Sequence, residues 1–503
     1  MTTHSHYVLG IDLGAGSLKA SLVDTSSGQI VGEGKHPITT RVPRHGWSEQ
    51  DPQEWYTAVC HAVPQALNAA RLPADQIAAI GISAGAHIPV LLNKAGQVLR
   101  PAIMWNDQRS VQEAAELRTQ HGELIERLSL NRANPTWSLP MLYWLQRHEP
   151  EIVRQVRHFC LPKDYLRWRL TQTWGTDFSD VIGTLLADAK QGGWSEELCA
   201  LIDWPTSTLP PVSQPTHIAG EITAQAARST GLAVGTPVVI GSNDTTVELF
   251  GVGATQPGQA AIKLATSGVL FLTVDQPIVK PPISCYPHII DGLYYLATGT
   301  NACASAHRWA CQHLFPDLDQ NAVQRLALSA PAGSDGLFFH PYLQGERGPY
   351  WDPHLRAGFW GLTIRHSRAH LARAVYEGIA YSINDLLCDA RAKGLGIDTA
   401  RLLGGGARSP EWQQLIADVT GLNLELTQTG EASFGTALVA GIGIGLFTDP
   451  HDAVQRCVRV IHTAEPDRTR QALYQELFGI YQALQQAQAP IAQRLHARIN
   501  HEH

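Results

Sequence analysis

Two stretches of this 503-residue chain share one pattern. Tyr7 to Asp24 (YVLGIDLGAGSLKASLVD) and Ala261 to Asp275 (AIKLATSGVLFLTVD) each read as a strand, a tight turn of small and hydroxylated residues, and a second strand. Leu13 corresponds to Leu264, Gly14 to Ala265, the turn Ala15-Gly16-Ser17 to Thr266-Ser267-Gly268, and Val23-Asp24 to Val274-Asp275. Such turns offer backbone N–H groups and hydroxyls to an anion, and a facing pair can grip a polyphosphate from both sides. Asp12 lies opposite Lys263, so only the first copy brings a carboxylate for a magnesium ion. The plainer reading is of two unrelated strand-turn-strand units, a pattern that recurs in many folds.

Asp12 ends an apolar strand, where a carboxylate is costly unless it serves a cap, a partner or a metal. Asp244 ends another, Val238 to Gly241, and precedes Thr245-Thr246. A carboxylate there can take the proton of an attacking hydroxyl, as a phosphotransferase requires, or can simply cap the segment Thr245 to Phe250. Gly404-Gly405-Gly406-Ala407-Arg408 follows the short strand Arg401 to Leu403 and leads to Ser409 as cap and Pro410 as first helical residue. Strand, glycine loop and helix N-terminus form a recurrent site for nucleotide phosphate or ribose. A conventional P-loop is absent: Gly34-Lys35 has the right pair, but Gln29 replaces the first glycine and His36 the hydroxyl. Gly441-Ile442-Gly443-Ile444-Gly445 lacks the third glycine of a dinucleotide fingerprint and reads as a close-packed helix.

The elements that must position these residues are legible in outline. Residues 7 to 35 alternate as a meander, with breaks at Ser26-Ser27-Gly28 and Gly32. Asp51 as N-cap, Pro52 at the first helical position and Glu54 closing a capping box predict a helix to about Arg71. Ile77 to Ser83 is a buried strand, and Pro89 to Leu92 is expected to continue the sheet after Gly85. Helical spacing runs from Ser110 to Arg132 and from Leu139 to Val156. The proline-rich Leu201 to Thr216 reads as an extended connector before a helix over Ala224 to Thr230. A long helix spans Leu371 to Lys393, and Trp412, Leu415, Ile416 and Val419 share one face of the helix after Pro410. The domain boundary is placed near residue 245, with an N-terminal domain over 1–245 and a C-terminal domain over 246–503.

Composition excludes some classes. A net charge of −7 gives no global basic footprint, so nucleic acid is not expected as a partner. No apolar run approaches a membrane span, and the start MTTHSHYVLG has no apolar signal core, so a cytoplasmic protein is expected. The eight cysteines contain no C-x-x-C pair and suggest neither a disulfide framework nor a zinc site. The terminal His501-Glu502-His503 is assigned no role.

In order along the chain stand Asp12-Leu13-Gly14, Gly46-Trp47-Ser48-Glu49-Gln50-Asp51-Pro52, Arg100 to Arg109 (RPAIMWNDQR), Leu161 to Leu166 (LPKDYL), Tyr342 to Pro349 (YLQGERGP) and Gly404 to Trp412 (GGGARSPEW). In these motifs the chain resembles the FGGY carbohydrate kinases, most closely their xylulokinase branch, over roughly residues 7 to 450. The resemblance implies an α/β fold of two actin-like, ribonuclease-H-like domains flanking a central cleft, whose closure would exclude water. The N-terminal domain would hold the sugar and the first phosphate turn, and the C-terminal domain the nucleotide. It further implies Asp244 as the catalytic base and Asp12 as the carboxylate that positions magnesium. For ATP it implies Gly14, Ser17 and Lys19 at the first turn, Thr266, Ser267 and Gly268 at the second, and Gly404, Gly405, Gly406 and Ser409 on the adenosine side. His87, Asp107 and Thr245 would belong to the sugar site; taken alone, His87 also reads as a satisfied histidine near the core. A homodimer is plausible on the same ground.

Three departures bear on activity and substrate. Ala15 stands where the family usually has a hydroxyl, and one hydrogen bond to a charged group is typically worth about 1.5 to 3 kcal/mol. The sugar-pocket pattern S-G-Q-M-H-G appears as Ser83-Ala84-Gly85-Ala86-His87-Ile88, and Thr245 replaces the Asn that usually follows the base. The expected activity is ATP- and magnesium-dependent phosphorylation of a terminal hydroxyl of a ketopentose, D-xylulose first. Ribulose, gluconate, glycerol or another polyol, or a catalytically silent nucleotide switch on the same fold, stand as alternatives.

Overall fold

Apolar alternation in the first forty residues becomes a β-meander in the structure, a computed structural model that describes residues 6–500; His501-Glu502-His503 lies outside the described residues. The chain divides into two compact units. The first comprises Met1–Thr255, Val274–Tyr295 and Thr429–Arg459, and the second Gln256–Thr273, Leu296–Gln428 and Val460–His503.

In the first unit β1 (Tyr7–Leu13), β2 (Ser17–Asp24) and β3 (Gln29–Pro37) form the meander. With β4 (Ile77–Ala84), β5 (Ile218–Glu221) and β6 (Pro237–Val239) they run in the order β5-β6-β4-β1-β2-β3, and β7 (Ser242–Asn243) also pairs with β4. The pairs β1/β4, β6/β4 and β7/β4 are parallel. One face carries the helix Pro52–Ala70, whose Trp55, Ala58, Val59, Ala62 and Val63 are fully buried in the core. The other face carries Ala432–Gly443, the close-packed helix expected near Gly441. Its approach rests on missing side chains: a Cβ on Gly10 of β1 would lie 1.8 Å from the Ser433 carbonyl oxygen.

Local expectations fail where one residue redirects the chain. Val90–Leu92 leaves the main sheet and pairs with His158–Cys160, because the chain turns out after β4 through His87, whose φ is 72°. Gly32 is no hairpin break; β3 runs through it with a bulge, Leu22 facing Gly32 and Val23 facing Ile30. Asp51 caps the N–H of Gln53 as expected, but the Glu54 carboxylate goes to Arg41 at 2.8 Å instead of closing a capping box. The helix expected over Leu139 to Val156 divides into Ser138–His148 and Pro150–Val153, since the residue before a proline is driven from helical geometry; Glu149 has φ −134° and ψ 50°.

In the second unit β8 (Gln259–Leu264), β9 (Gly268–Val274), β10 (Tyr294–Thr300), β11 (Thr399–Leu403), β12 (Asn423–Thr427) and β13 (Val460–Ala464) run in the order β10-β9-β8-β11-β12-β13. The strand-turn-strand β8/β9 has the antiparallel pairing of β1/β2, and β8 has a parallel neighbour in β11 as β1 has in β4. The likeness read in the sequence is thus a likeness of sheets. Arg368–Ala392 is the long helix, with Val375, Ile379 and Leu386 buried. Among the described residues no helix is long and apolar enough to cross a membrane.

Candidate active site

In the first unit, parallel pairing brings three chain segments to one edge of the sheet. Asp12 is in register with Ser83, and Ser83 with Ser242. Asp12 near the end of β1, the turn Gly85 to His87 after β4, and Asp244 after β7 therefore lie at the carboxyl ends of three neighbouring strands, where open α/β sheets bind ligands. Asp12 is oriented from behind: Ser83 Oγ donates to its Oδ1 at 2.8 Å, and Thr436 Oγ1 donates to Ser83 at 2.8 Å. Both hydroxyl residues are buried, and Thr436 reaches them from the close-packed helix.

Asp244 is the first residue of the helix Asp244–Gly251, and the cap is Asn243, whose Oδ1 accepts from the Thr246 N–H at 2.9 Å. The capping role that Asp244 could have filled is taken by its neighbour. Its own Oδ1 accepts from the Thr245 N–H at 2.7 Å and the Thr245 hydroxyl at 3.2 Å. The strand ahead of it is held by buried charge. Lys163 Nζ lies 2.6 Å from Asp164, 3.0 Å from Asp177 and 3.0 Å from Asp180, and Arg167 lies 2.9 Å from Asp164. From this cluster Arg167 donates to the Ile240 carbonyl at 2.9 Å, and Asp177 accepts from Ser242 Oγ at 2.7 Å. Burial pushes the Asp180 carboxyl well up. Here is the physical content of the LPKDYL motif.

His87 is also held firmly. Its ring stacks on Trp137 at 4.0 Å, its Nε2 meets the Tyr286 hydroxyl at 2.9 Å, and its carbonyl accepts from Ser138 Oγ at 2.8 Å. Burial pushes the imidazole down to about 3, so it is neutral. A Cβ on Gly183 would lie 2.9 Å from the ring. Asp107 is placed otherwise: 1 % exposed, it accepts from the Ser48 N–H at 2.6 Å and from Arg109 Nε at 2.9 Å and Nη2 at 2.8 Å. Arg109 in turn pairs with Glu49 at 2.8 Å and stacks over Trp47 at 3.7 Å. The GWSEQDP and RPAIMWNDQR motifs thus lock each other, and Trp105 among them is 45 % exposed, beside Gly85.

At the first turn the carbonyls point inward: Leu13 accepts from the Gly85 N–H, Gly16 from Ile38, Ser17 from Gly14, and Ala15 from Gln50 Nε2 at 2.7 Å. The Ala15 and Gly16 N–H groups have no partner among the described residues. Lys19 pairs with Glu33 at 2.8 Å and Glu431 at 3.5 Å. In the second unit the matching turn behaves alike: the Thr266 carbonyl accepts from Cys303, from the Ser305 N–H and from Ser305 Oγ, while the Thr266 and Ser267 N–H groups have no partner among the described residues. This turn and the glycine loop leave the ends of the parallel strands β8 and β11, with Lys263 in register with Leu403. Gly404 has φ 87°, and a Cβ there would lie 2.7 Å from the Leu264 carbonyl oxygen; one on Gly406 would lie 2.7 Å from the Trp412 ring, whereas Gly405 faces open space. Ser409 caps the following helix by accepting from the Trp412 N–H at 3.2 Å.

A carboxylate at a helix start and a buried histidine at one sheet edge of the first unit, with a strand-turn-strand in each unit whose turn N–H groups are left unpaired among the described residues, are features that phosphoryl transfer can use. Residues 7–251 match the N-terminal domain, and residues 260–444 the C-terminal domain, of the FGGY family of carbohydrate kinases. The chain belongs to that family: it is an α/β kinase with two actin-like domains that transfers a phosphoryl group from ATP to an alcohol group of a sugar. It is 33% identical over 490 residues to the xylulose kinase of Escherichia coli strain K12, covering 96% of this chain and 99% of that one. Among solved structures it is similar to a ligand-bound xylulose kinase from Lactobacillus acidophilus, with a TM-score of 0.91 at 27% identity over 97% of this chain and 99% of the other. A gluconate kinase from the same organism matches with the same TM-score of 0.91 and 27% identity over 97% and 99% of the two chains.

Sequence reading placed Ser83 in the sugar-pocket pattern rather than behind Asp12, and missed Thr436 behind both, Gln50 behind the first turn, and Trp137 and Tyr286 around His87. The GWSEQDP motif flagged Gln50 without a role. Nothing local marks Thr436 or Tyr286, which lie in segments that return to the first unit from the far half of the chain.

Proposed function

We propose that this protein phosphorylates the terminal hydroxyl of D-xylulose to give D-xylulose 5-phosphate, with ATP and Mg2+. The observation that carries the reading is the convergence of Asp12, His87 and Asp244 at the carboxyl edge of one sheet. Asp244 accepts the proton of the attacking hydroxyl; its position on the first turn of a helix suits negative charge. His87 and Thr245 contact the sugar, and Asp107 acts on that pocket through the loop it holds. The xylulose kinases among the relatives favour a ketopentose.

The residues fit magnesium. Among the described residues no cluster of three or more His, Cys, Asp or Glu side chains forms a protein cage, and magnesium is usually held by one or two carboxylates with water and substrate phosphates. Asp12 is the carboxylate for it. A bound ion there offsets charge on the phosphates. Ala15 and Gly16 N–H groups with Ser17 and Lys19 receive phosphate at the first turn, and Thr266, Ser267 and Gly268 at the second. Gly404, Gly405, Gly406 and Ser409 line the adenosine side. The N-terminal domain therefore supplies base, metal carboxylate and sugar contacts, and the C-terminal domain the nucleotide site. None of the eight cysteines is in a disulfide among the described residues, in keeping with a cytoplasmic location. Assembly as a homodimer is checked by light scattering.

The test is ADP release with ATP and magnesium over ketopentoses, sugar acids and polyols, each against a blank without sugar. D-Xylulose standing far above the others is the expected result. A different sugar at the top overturns the substrate, and a flat panel with clear nucleotide binding overturns the reading of the sugar pocket.

A further inference from the structure

Segment Val274–Tyr295 follows the second phosphate turn in the chain yet belongs to the first compact unit. Its strand Ser284–Pro287 is fixed on both sides of Tyr286. Asn131 grips Cys285 twice, Nδ2 donating to the carbonyl at 2.8 Å and Oδ1 accepting from the N–H at 2.9 Å. Ser179 Oγ donates to the Pro287 carbonyl at 3.2 Å. The Tyr286 ring stacks on Tyr295, centroids 5.3 Å apart, and the Tyr295 hydroxyl lies 3.0 Å from Thr246 Oγ1 on the helix that begins with Asp244. A clamp so placed fixes the phenol against the His87 ring.

The chemistry of the pair is directional. His87 is neutral, so one ring nitrogen donates and the other accepts. The partner on Nε2 decides which. Burial pushes the Tyr286 phenol well up, so it keeps its proton. At 2.9 Å that proton is within hydrogen-bonding reach of Nε2. Among the described residues His87 Nδ1 has no hydrogen-bond partner.

We propose that Tyr286 is a positioning residue for sugar selectivity: its hydroxyl donates to His87 Nε2, holds the imidazole as the Nδ1–H tautomer, and so presents a donor to the sugar. The proposal rests on the reading that His87 lines the sugar pocket. A ketose carbonyl oxygen can only accept, whereas a polyol hydroxyl at the same carbon can donate or accept. A fixed Nδ1–H therefore serves the ketose fully and removes the advantage a polyol would gain by donating to an imidazole acceptor, and Tyr286 sets that balance without touching the substrate.

Tyr286→Phe keeps the ring stack and removes the hydroxyl; a thermal melt confirms that it folds. In ¹⁵N-labelled protein, with His87 assigned by comparison with His87→Ala, imidazole resonances report the tautomer directly. The expected result is Nδ1–H in the wild type and loss of that single tautomer in Tyr286→Phe. Kinetically, Tyr286→Phe should raise the KM for xylulose about tenfold, the worth of one hydrogen bond, leave the KM for ATP unchanged, and narrow the xylulose-to-xylitol preference. In a His87→Ala background the same substitution should cost nothing further. A wild-type Nε2–H tautomer, or an undiminished effect of Tyr286→Phe without His87, overturns the proposal. An unchanged sugar KM in His87→Ala overturns the sugar-pocket reading and the selectivity claim with it, while the tautomer spectrum still decides the clamp.

Discussion

Each acidic side chain at the site differs in what its neighbours have already claimed. Asp244 is bound on one oxygen by Thr245, and Asp12 is oriented by Ser83. Asp244→Asn should lower kcat about 10²- to 10⁴-fold, the usual worth of a positioned base, with nucleotide affinity nearly intact by calorimetry. Retention of most activity would remove Asp244 from the mechanism. Ser83→Ala leaves Asp12 without its orienting donor and should weaken magnesium dependence about 10- to 100-fold, read from metal titrations of nucleotide binding. In the second unit Glu346 is 3 % exposed, and burial pushes it up to about 7 although Thr300, Asn301 and Arg347 all donate to it. Its folded pKa lies above its ordinary value of 4.5, so the folded state holds the extra proton between those pH values. Stability from this group is therefore lost as pH rises from 4.5 to 7, with a slope of at most about 1.4 kcal/mol per pH unit. Glu346→Gln should flatten that part of the pH–stability curve in denaturant titrations; an unchanged slope would show that Glu346 is ionised throughout.

At the scale of elements, the helix Ala432–Gly443 supports both carboxylates at once. It reaches Asp12 through Thr436 and Ser83, and it crosses the Asp244 helix where a Cβ on Gly435 would lie 2.0 Å from the Val247 carbonyl oxygen. Backbone oxygens cannot move aside like side-chain ends, so Gly435→Ala must displace one helix. Overpacking of this kind costs about 1 to 3 kcal/mol, and the loss should appear in urea unfolding together with a lower kcat. Wild-type kcat in the variant would show that the crossing does not set the position of Asp244. Strand β4 has a comparable role, since its parallel pairing with β1 and β7 fixes which residues share the site edge.

For the whole molecule, the division of labour predicts separate footprints in hydrogen exchange. ATP with magnesium should protect amides around 264–268 and 403–409 in the second unit and 13–17 in the first. Xylulose alone should protect 83–88, 242–246 and 284–287, although 284–287 follows the second phosphate turn in sequence. Protection of 284–287 by nucleotide alone would contradict its assignment to the sugar side.

The turns, the strand-turn-strand pair, the Ser409-Pro410 helix start and the placement of Asp12 and Asp244 at strand ends were legible in the sequence, because capping, strand alternation and tight turns depend on residues a few positions apart. The sequence likewise displayed the motifs GWSEQDP and RPAIMWNDQR, but only folding showed that Asp107 and Arg109 join them inside the protein. The exit of Val90–Leu92 from the main sheet depends on the positive φ at His87, which local pattern does not report. Thr436 and Tyr286 could not be read at all: they lie 353 residues from Ser83 and 199 from His87. Local physics chose the turns, caps and strands, whereas only long-range packing decided which hydroxyl stands behind which carboxylate and which phenol holds the histidine.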